Sequence, residues 1–218
     1  RGWFMQNCNY ADFSNFLGIR GYYAMYVSGC DYCSFDHLAG IGGYYAFRLE
    51  YSDYYRDVYI WSSHGRSRSM HIQYQDSGNT DGTIDYNVGY ARTSFSFGGS
   101  YALQMEYLRN GTNRWDRIEA YGGYNQAIYF SYNNQCNLEY VRTGRWPQGG
   151  ASPTAFYSYQ NYGPVTIGIL STVDCYYGLR NSQRELNVNN FFETVNPYSR
   201  ADGGNGYSNT QYSIYTEN

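Results

Sequence analysis

The sequence predicts an all-β fold of two stacked antiparallel sheets, a sandwich or open barrel with an apolar cleft between its layers. It allows at most one short helix near the C-terminus. Three observations predict this. Residues 42–51, Gly-Gly-Tyr-Tyr-Ala-Phe-Arg-Leu-Glu-Tyr, recur at 98–107 as Gly-Gly-Ser-Tyr-Ala-Leu-Gln-Met-Glu-Tyr. From Tyr45 and Tyr101 onward the odd positions are aromatic or aliphatic and the even ones Ala, Arg, Gln or Glu, the period of a strand with one dry and one wet face. Residues 60–74 match 118–132 in length, with apolar residues at both ends, so the repeat covers 42–74 and 98–132. Finally, short apolar runs follow one another between Gly, Asn and Ser, as in sandwiches and barrels.

Taken in order, strands are expected at 22–27, 45–51, 58–62, 70–74, 83–91, 93–97, 101–107, 117–120, 127–132, 138–142 and 165–173. Residues 211–215 add an edge strand. Residues 1–20 show no clear period, and 30–43 read as a turn-rich connector. All four prolines lie at or after Pro147, so 145–163 reads as a long loop, since Pro cannot donate to a ladder. Residues 181–193 are the single candidate helix, weakened by Asn187, Asn189 and Asn190. No linker divides the chain, and residues 1–218 read as one domain, long enough to bury a substantial core.

Tyr is the outstanding residue, with 30 copies beside 25 Gly, 11 Phe and 4 Trp. Much of the mean hydropathy of −0.66 reflects Tyr, scored as polar although it buries a large area. Every basic residue is Arg, which stacks on rings and forks onto carboxylates. The net charge of −3 argues against binding a nucleic-acid backbone. No apolar run reaches membrane-spanning length. Cysteines 8, 30, 33, 136 and 175 are widely spaced, and Asn110-Gly111-Thr112 is a glycosylation sequon. With the absence of Lys, these features predict a secreted protein with disulfides drawn from Cys8, Cys30, Cys33, Cys136 and Cys175. Pairing is left open, and an odd count leaves one cysteine over.

Motifs with chemical potential have plainer alternatives. Cys30-Asp31-Tyr32-Cys33 has redox or zinc half-site spacing but lacks a second Cys/His pair. Residues 77–85 resemble part of a calcium loop, with Asn79, Asp81 and Asp85 as donors, though Ser77 opens it and the terminal Glu is missing. The same Asp81-Gly82 is also a favoured hairpin turn. His37, His64 and His71 are scattered, with no nucleophile motif nearby. Asp53 with Asp57, or Glu50 with Glu106, could be imagined as glycosidase acids, but acids on repeat strands and their loops are more simply surface groups facing Arg48, Arg56 or Arg117. A non-enzymatic protein is expected.

Residues 165–175, a strand ending in Cys175, followed by Asn190-Phe191-Phe192-Glu193-Thr194-Val195-Asn196-Pro197, resemble the end of ependymin-related proteins. Tyr129-Phe130-Ser131-Tyr132 before Cys136 is similar to that family's tyrosine strand ahead of its middle Cys. Residues 51–58 are similar to its Tyr-Asp…Arg-Val step, and Cys8 to its first Cys. Asn196 stands where the family has an acid, and the family's closing Cys is absent. The resemblance implies a secreted, often dimeric pair of antiparallel sheets around a deep apolar cavity, sometimes with Ca²⁺. Marine invertebrate members include blue carotenoproteins that hold a carotenoid such as astaxanthin.

The leading expectation is therefore a secreted carrier of an apolar small molecule, a carotenoid or lipid, working as a homo- or heterodimer. Tyr45, Phe47, Leu49, Tyr101, Leu103, Met105, Ile128 and Phe130 are its expected walls, with His64 and His71 contacting polar ends of the ligand. The alternatives are a lectin using Trp61, Trp115 or Trp146 as sugar platforms, and a structural or egg-storage matrix protein.

Overall fold

The computed structural model describes residues 2–52, 56–57, 60–73, 87–96, 100–108, 113–122, 125–144, 154–173, 175, 177–182, 186–194 and 212–216. Over these residues the chain winds as a parallel β-solenoid. The first turn holds β1 (Trp3–Gln6), β2 (Asp12–Ser14) and β3 (Leu17–Ile19). The second holds β4 (Tyr23–Ser28), β5 (Ser34–Asp36) and β6 (Leu38–Ile41), and the third β7 (Tyr45–Glu50), β8 (Arg56–Asp57) and β9 (Ile60–Ser63). Later turns each contribute two described strands: β10 (Arg68–Gln73) with β11 (Asn87–Ser96), β12 (Tyr101–Glu106) with β13 (Asn113–Gly122), and β14 (Gln126–Ser131) with β15 (Cys136–Gly144). Then come β16 (Thr154–Tyr159) with β17 (Val165–Val173), β18 (Tyr177–Asn181) with β19 (Leu186–Thr194), and finally β20 (Tyr212–Thr216). One nine-stranded sheet runs β1-β4-β7-β10-β12-β14-β16-β18-β20; an eight-stranded sheet runs β19-β17-β15-β13-β11-β9-β6-β3; β2, β5 and β8 form a third.

This corrects the antiparallel sandwich. Every pairing among the described strands is parallel. Alternation of dry and wet residues does not distinguish the two directions, because both present alternate side chains to opposite faces. The repeat does distinguish them. Similar segments stack like on like, so Met25 lies beside Phe47, Phe47 beside Met70 and Met70 beside Leu103.

The expected helix at 181–193 is also corrected: among the described residues there is no helix, and β19 occupies most of that segment. This nine-residue strand runs in register with β17, Leu186 beside Val165 and Val188 beside Ile167. Asn is a poor helix former, and the ladder offered by β17 wins. The expected loop at 145–163 contains β16, which no proline interrupts, and the expected connector at 30–43 contains β5 and β6.

The core fills the space between the two large sheets. Phe47, Leu49, Met70, Leu103, Ile128 and Phe130 from one sheet are fully buried, as are Ile60, Ile118, Val141 and Leu170 from the other. The solenoid interior is therefore packed side chain rather than an open cleft.

One small residue per turn shapes the nine-stranded sheet. The Arg48 guanidinium sits 5.3 Å from the Tyr45 ring centre, so residues three apart share a face. Ala46 is the extra residue between them, and the strand steps by one at that point, as at a β-bulge. Ala24, Ala46, Ser69, Ala102, Ala127 and Ala155 occupy this position in successive turns, and all are buried. Gly18 and Gly40 of the facing sheet come against the carbonyls of Ala24 and Ala46: a Cβ there would lie 1.8 and 1.9 Å from the respective oxygens. The Thr143 hydroxyl, farther along the same facing column, instead donates to the Ala155 carbonyl at 3.1 Å.

The corner after six strands of this sheet, β1, β4, β7, β12, β14 and β16, is left-handed. Asn7, Gly29 and Tyr51 have φ of 55°, 62° and 51°, and Tyr107, Tyr132 and Gln160 have 56°, 56° and 43° at the equivalent place. Each non-Gly residue costs roughly 1 kcal/mol there. Hydrogen bonds between turns offset that cost: the amides of Asn7, Tyr107 and Tyr132 donate to the carbonyls of Ser28, Ser131 and Tyr159 at 3.0, 3.2 and 3.3 Å.

Candidate functional site

The outward face of the nine-stranded sheet carries the chemistry. Because the chain rises by one strand spacing per turn, about 4.8 Å, side chains at equivalent positions stack into ladders. Tyr23 and Tyr45 stack with centres 5.3 Å apart, and Tyr22 and Tyr44, at the adjoining corner, at 5.1 Å and 11°. Phe4 closes the N-terminal end against Tyr26 at 5.7 Å. Toward the C-terminus the ladder continues with Tyr101 on Tyr129 at 5.2 Å, and then Tyr157 at 5.6 Å. Arginines join the rings. Arg48 lies over Tyr23 and Tyr45, Arg68 bridges Tyr45 and Tyr101, and Arg180 caps Tyr157 at 4.7 Å. Such cation–π contacts fix the orientation of the rings within the ladder.

Between the rings runs a polar ladder. Glu50 accepts from Tyr26, from Arg48 and from the Gln73 amide at 2.7 Å. Glu106 accepts from the Gln104 amide at 2.7 Å and pairs with His71 Nε2 at 2.9 Å, while Arg68 donates to Gln104 and, at 2.8 Å, to Tyr45. Glu50 and Glu106 lie in one column with Gln73 between them, and both carboxylates are consumed by this network rather than left facing solvent. Desolvation, helped by Glu50, pushes the Tyr26 hydroxyl pKa up, and desolvation pushes Tyr129 up to about 12. These phenols stay protonated and remain hydrogen-bond donors at neutral pH.

His71 is buried beneath Tyr45, ring centres 5.7 Å apart, and its Nδ1 has no partner among the described residues. Loss of hydration lowers its pKa, outweighing the help from Glu106. Burial would raise the Glu106 pKa, but the hydrogen bonds from His71 and Gln104 prevail and hold it low. The folded protein thus holds neutral His71 against ionised Glu106. Below about pH 6.5 the unfolded chain binds a proton at His71 that the folded chain refuses, and below about pH 4.5 another at Glu106. Stability therefore falls as the pH drops. Thermal scans should show a declining midpoint between roughly pH 7 and pH 5, with a shallower decline in His71→Gln.

The sequence-predicted residues divide in two. Phe47, Leu49, Leu103, Met105, Ile128 and Phe130 come together inside the solenoid, fully buried on one another, and a guest among them would have to displace that packing. Tyr45, Tyr101 and His71 lie together on the outer ladder; the small-residue steps at Ala46 and Ala102 shift both tyrosines off the dry face. His64 stands apart at an exposed corner, its Nδ1 2.9 Å from Ser63 Oγ. Trp115 is core and Trp61 half-buried. Asn79, Asp81, Asp85, Asn110 and Trp146 lie outside the described residues. Among the described residues no group of His, Cys, Asp or Glu is arranged to hold a metal, and no helix is long and apolar enough to cross a membrane. No disulfide is formed between any two of the cysteines in this structure.

Tyr22, Tyr44, Arg48 and Arg68 are absent from the sequence-derived site. Their signal was the tripeptide Tyr-Ala-apolar at 23–25, 45–47 and 101–103, whose first two copies are 22 residues apart. A short period of that kind marks stacked turns. Elsewhere on the surface, an open polar depression of about 450 Å³ lies at the first corners, lined by Asn7, Asn9, Ser28, Gly29, Asp31 and Tyr51. No protein-family model, curated protein or solved structure matches this chain.

Proposed function

We propose that this chain is a secreted, non-catalytic carbohydrate-binding protein that takes an extended glycan along its tyrosine–arginine face. One observation carries the reading: the aromatic rings stack in register from turn to turn, beside hydrogen-bonding side chains, on one outward face of the solenoid. Tyr22 and Tyr44 are 60% and 42% exposed, and Phe4 56%, so these rings are accessible. A sugar ring places its C–H face on a flat aromatic ring and its hydroxyls on polar groups at the rim. Solenoids offer long surfaces of repeated sites, which suit a polymer better than a compact ligand. The acidic net charge and the absence of Lys favour a glycan over nucleic acid.

A glycan array screened with the purified chain tests this directly. Binding should fall about tenfold or more in the double variant Tyr22→Ala/Tyr44→Ala, the loss of two ring platforms. Trp115→Ala should leave the affinity of whatever protein still folds unchanged, because that side chain is interior. Silence across oligosaccharides of every class would remove the reading. Recovery of a polyene or fatty acid in organic extracts would favour the apolar carrier instead.

A further inference from the structure

Three of the five cysteines converge at the first corners of the solenoid. The first two turns are offset by 22 residues throughout this region: Gln6 pairs with Ser28, the Tyr10 amide donates to the Asp31 carbonyl at 3.0 Å, and Asp12 pairs with Ser34. The same offset sets Cys8 directly over Cys30. Adjacent parallel strands lie about 4.8 Å apart, inside the Cα separation a disulfide accepts. Cys33 closes the group, its thiol donating to the Cys8 carbonyl at 3.0 Å. Its own turn places it above Ala11, not above a cysteine, since Ser34 donates to the Ala11 carbonyl. We propose that Cys8 and Cys30 form a disulfide that staples the first turn of the solenoid to the second, with Cys33 left as a thiol beside it.

The burial of the three thiols orders the chemistry. Cys8 is half-buried, whereas Cys30 and Cys33 are buried. Desolvation raises the thiol pKa of both, that of Cys30 to about 11, with the neighbouring Cys8 contributing. The Cys8 thiolate therefore meets a small-molecule disulfide oxidant first. It attacks one sulfur of that oxidant and expels the other as a thiolate, leaving a mixed disulfide on Cys8. Cys30 then loses its proton, attacks the Cys8 sulfur and expels the second thiolate. Two protein thiols give up two protons and two electrons, and the oxidant's S–S bond becomes two thiols.

A bridge between the remaining two cysteines, Cys136 and Cys175, is ruled out by register. Cys136 pairs with Val165 at the start of β17, while Cys175 lies beyond Val173 at its end. At about 3.3 Å per residue that is more than 25 Å of extended strand, and a disulfide cannot span it.

The test is peptide mapping under non-reducing conditions after exposure to oxidised glutathione. Arg20 separates Cys8 from Cys30 and Cys33 for trypsin, and Tyr32 separates Cys30 from Cys33 for chymotrypsin. The expected product is the Cys8 peptide joined to the Cys30 peptide, with Cys33, Cys136 and Cys175 open to alkylation. Reductant should then lower the thermal midpoint by about 5–10 °C, and Cys33→Ser should keep both the link and that shift. Five alkylatable thiols, or any linkage other than Cys8 to Cys30, would overturn the proposal.

Discussion

Gly40→Ala should destabilise the protein by about 3 kcal/mol or more, the upper range for forcing an atom into a filled interior. The added methyl would sit 1.9 Å from the Ala46 carbonyl oxygen and 2.6 Å from its carbon. Both are backbone atoms of a strand held on two sides, by β4 and by β10. Neither can rotate away, so the two sheets would have to separate at this contact. Gly42→Ala provides the contrast. Its φ of +75° strains any side chain, but the nearest atom, Arg20 Cγ, is 3.5 Å away. It should cost only about 1 kcal/mol, as one left-handed residue does. Thermal unfolding checks both, at roughly 2–4 °C per kcal/mol for a chain of this size. Equal effects would mean that Gly40 is not packed as tightly against Ala46 as the backbone places it.

Asn133→Ala should be comparably damaging for the opposite reason, since it removes atoms that are needed. Asn133 is fully buried at the corner after β14. Its side-chain oxygen accepts from the Leu108 amide at 2.9 Å, and its amide donates to the Met105 carbonyl at 3.1 Å. Its own backbone amide donates to Asn161 one turn later at 2.9 Å, and Asn161 reaches back to the Phe130 carbonyl at 3.4 Å. These asparagines repeat the same bond from turn to turn and satisfy backbone groups that a left-handed corner takes out of the ladder. Truncation leaves two buried backbone groups without partners, at about 1–3 kcal/mol each. A total near 3 kcal/mol is expected in denaturant titration, against a change within about 0.5 kcal/mol for Asn134→Ala.

The all-β character was plain in the residues, and so was most of the strand inventory. Alternation from Tyr45 and from Tyr101 located β7 and β12, and the apolar run at 165–173 located β17 to the residue. Direction was not legible in the same way, because the pattern that hides one face is identical in parallel and antiparallel sheets. The information lay in spacing instead. The N-terminal turns keep a period of 22, but later ones carry extra residues in their loops, and a fixed repeat dissolves after the third turn. The site was half legible. Abundant Tyr and Arg pointed to rings as the working surface, but assigning Tyr45 and Tyr101 to the interior followed from extending strict alternation across Ala46 and Ala102. A small side chain at a step in the strand gives no hydropathic signal by itself. The left-handed tyrosines at 51, 107 and 132 were equally silent, since Tyr is not a residue that announces such a corner. Interior asparagine also reads as loop composition unless the turns are already aligned.

Proton–proton contacts in solution test the parallel stacking most directly. A parallel solenoid places Met25 beside Phe47 and Phe47 beside Met70, and in the same direction Val27 beside Leu49 and Leu49 beside Ile72. Nuclear Overhauser spectra of the labelled protein should therefore link these pairs, with residue numbers rising together along both strands. Contacts in which one number rises as the other falls would contradict the solenoid, and with it the in-register ring ladder on which glycan binding depends.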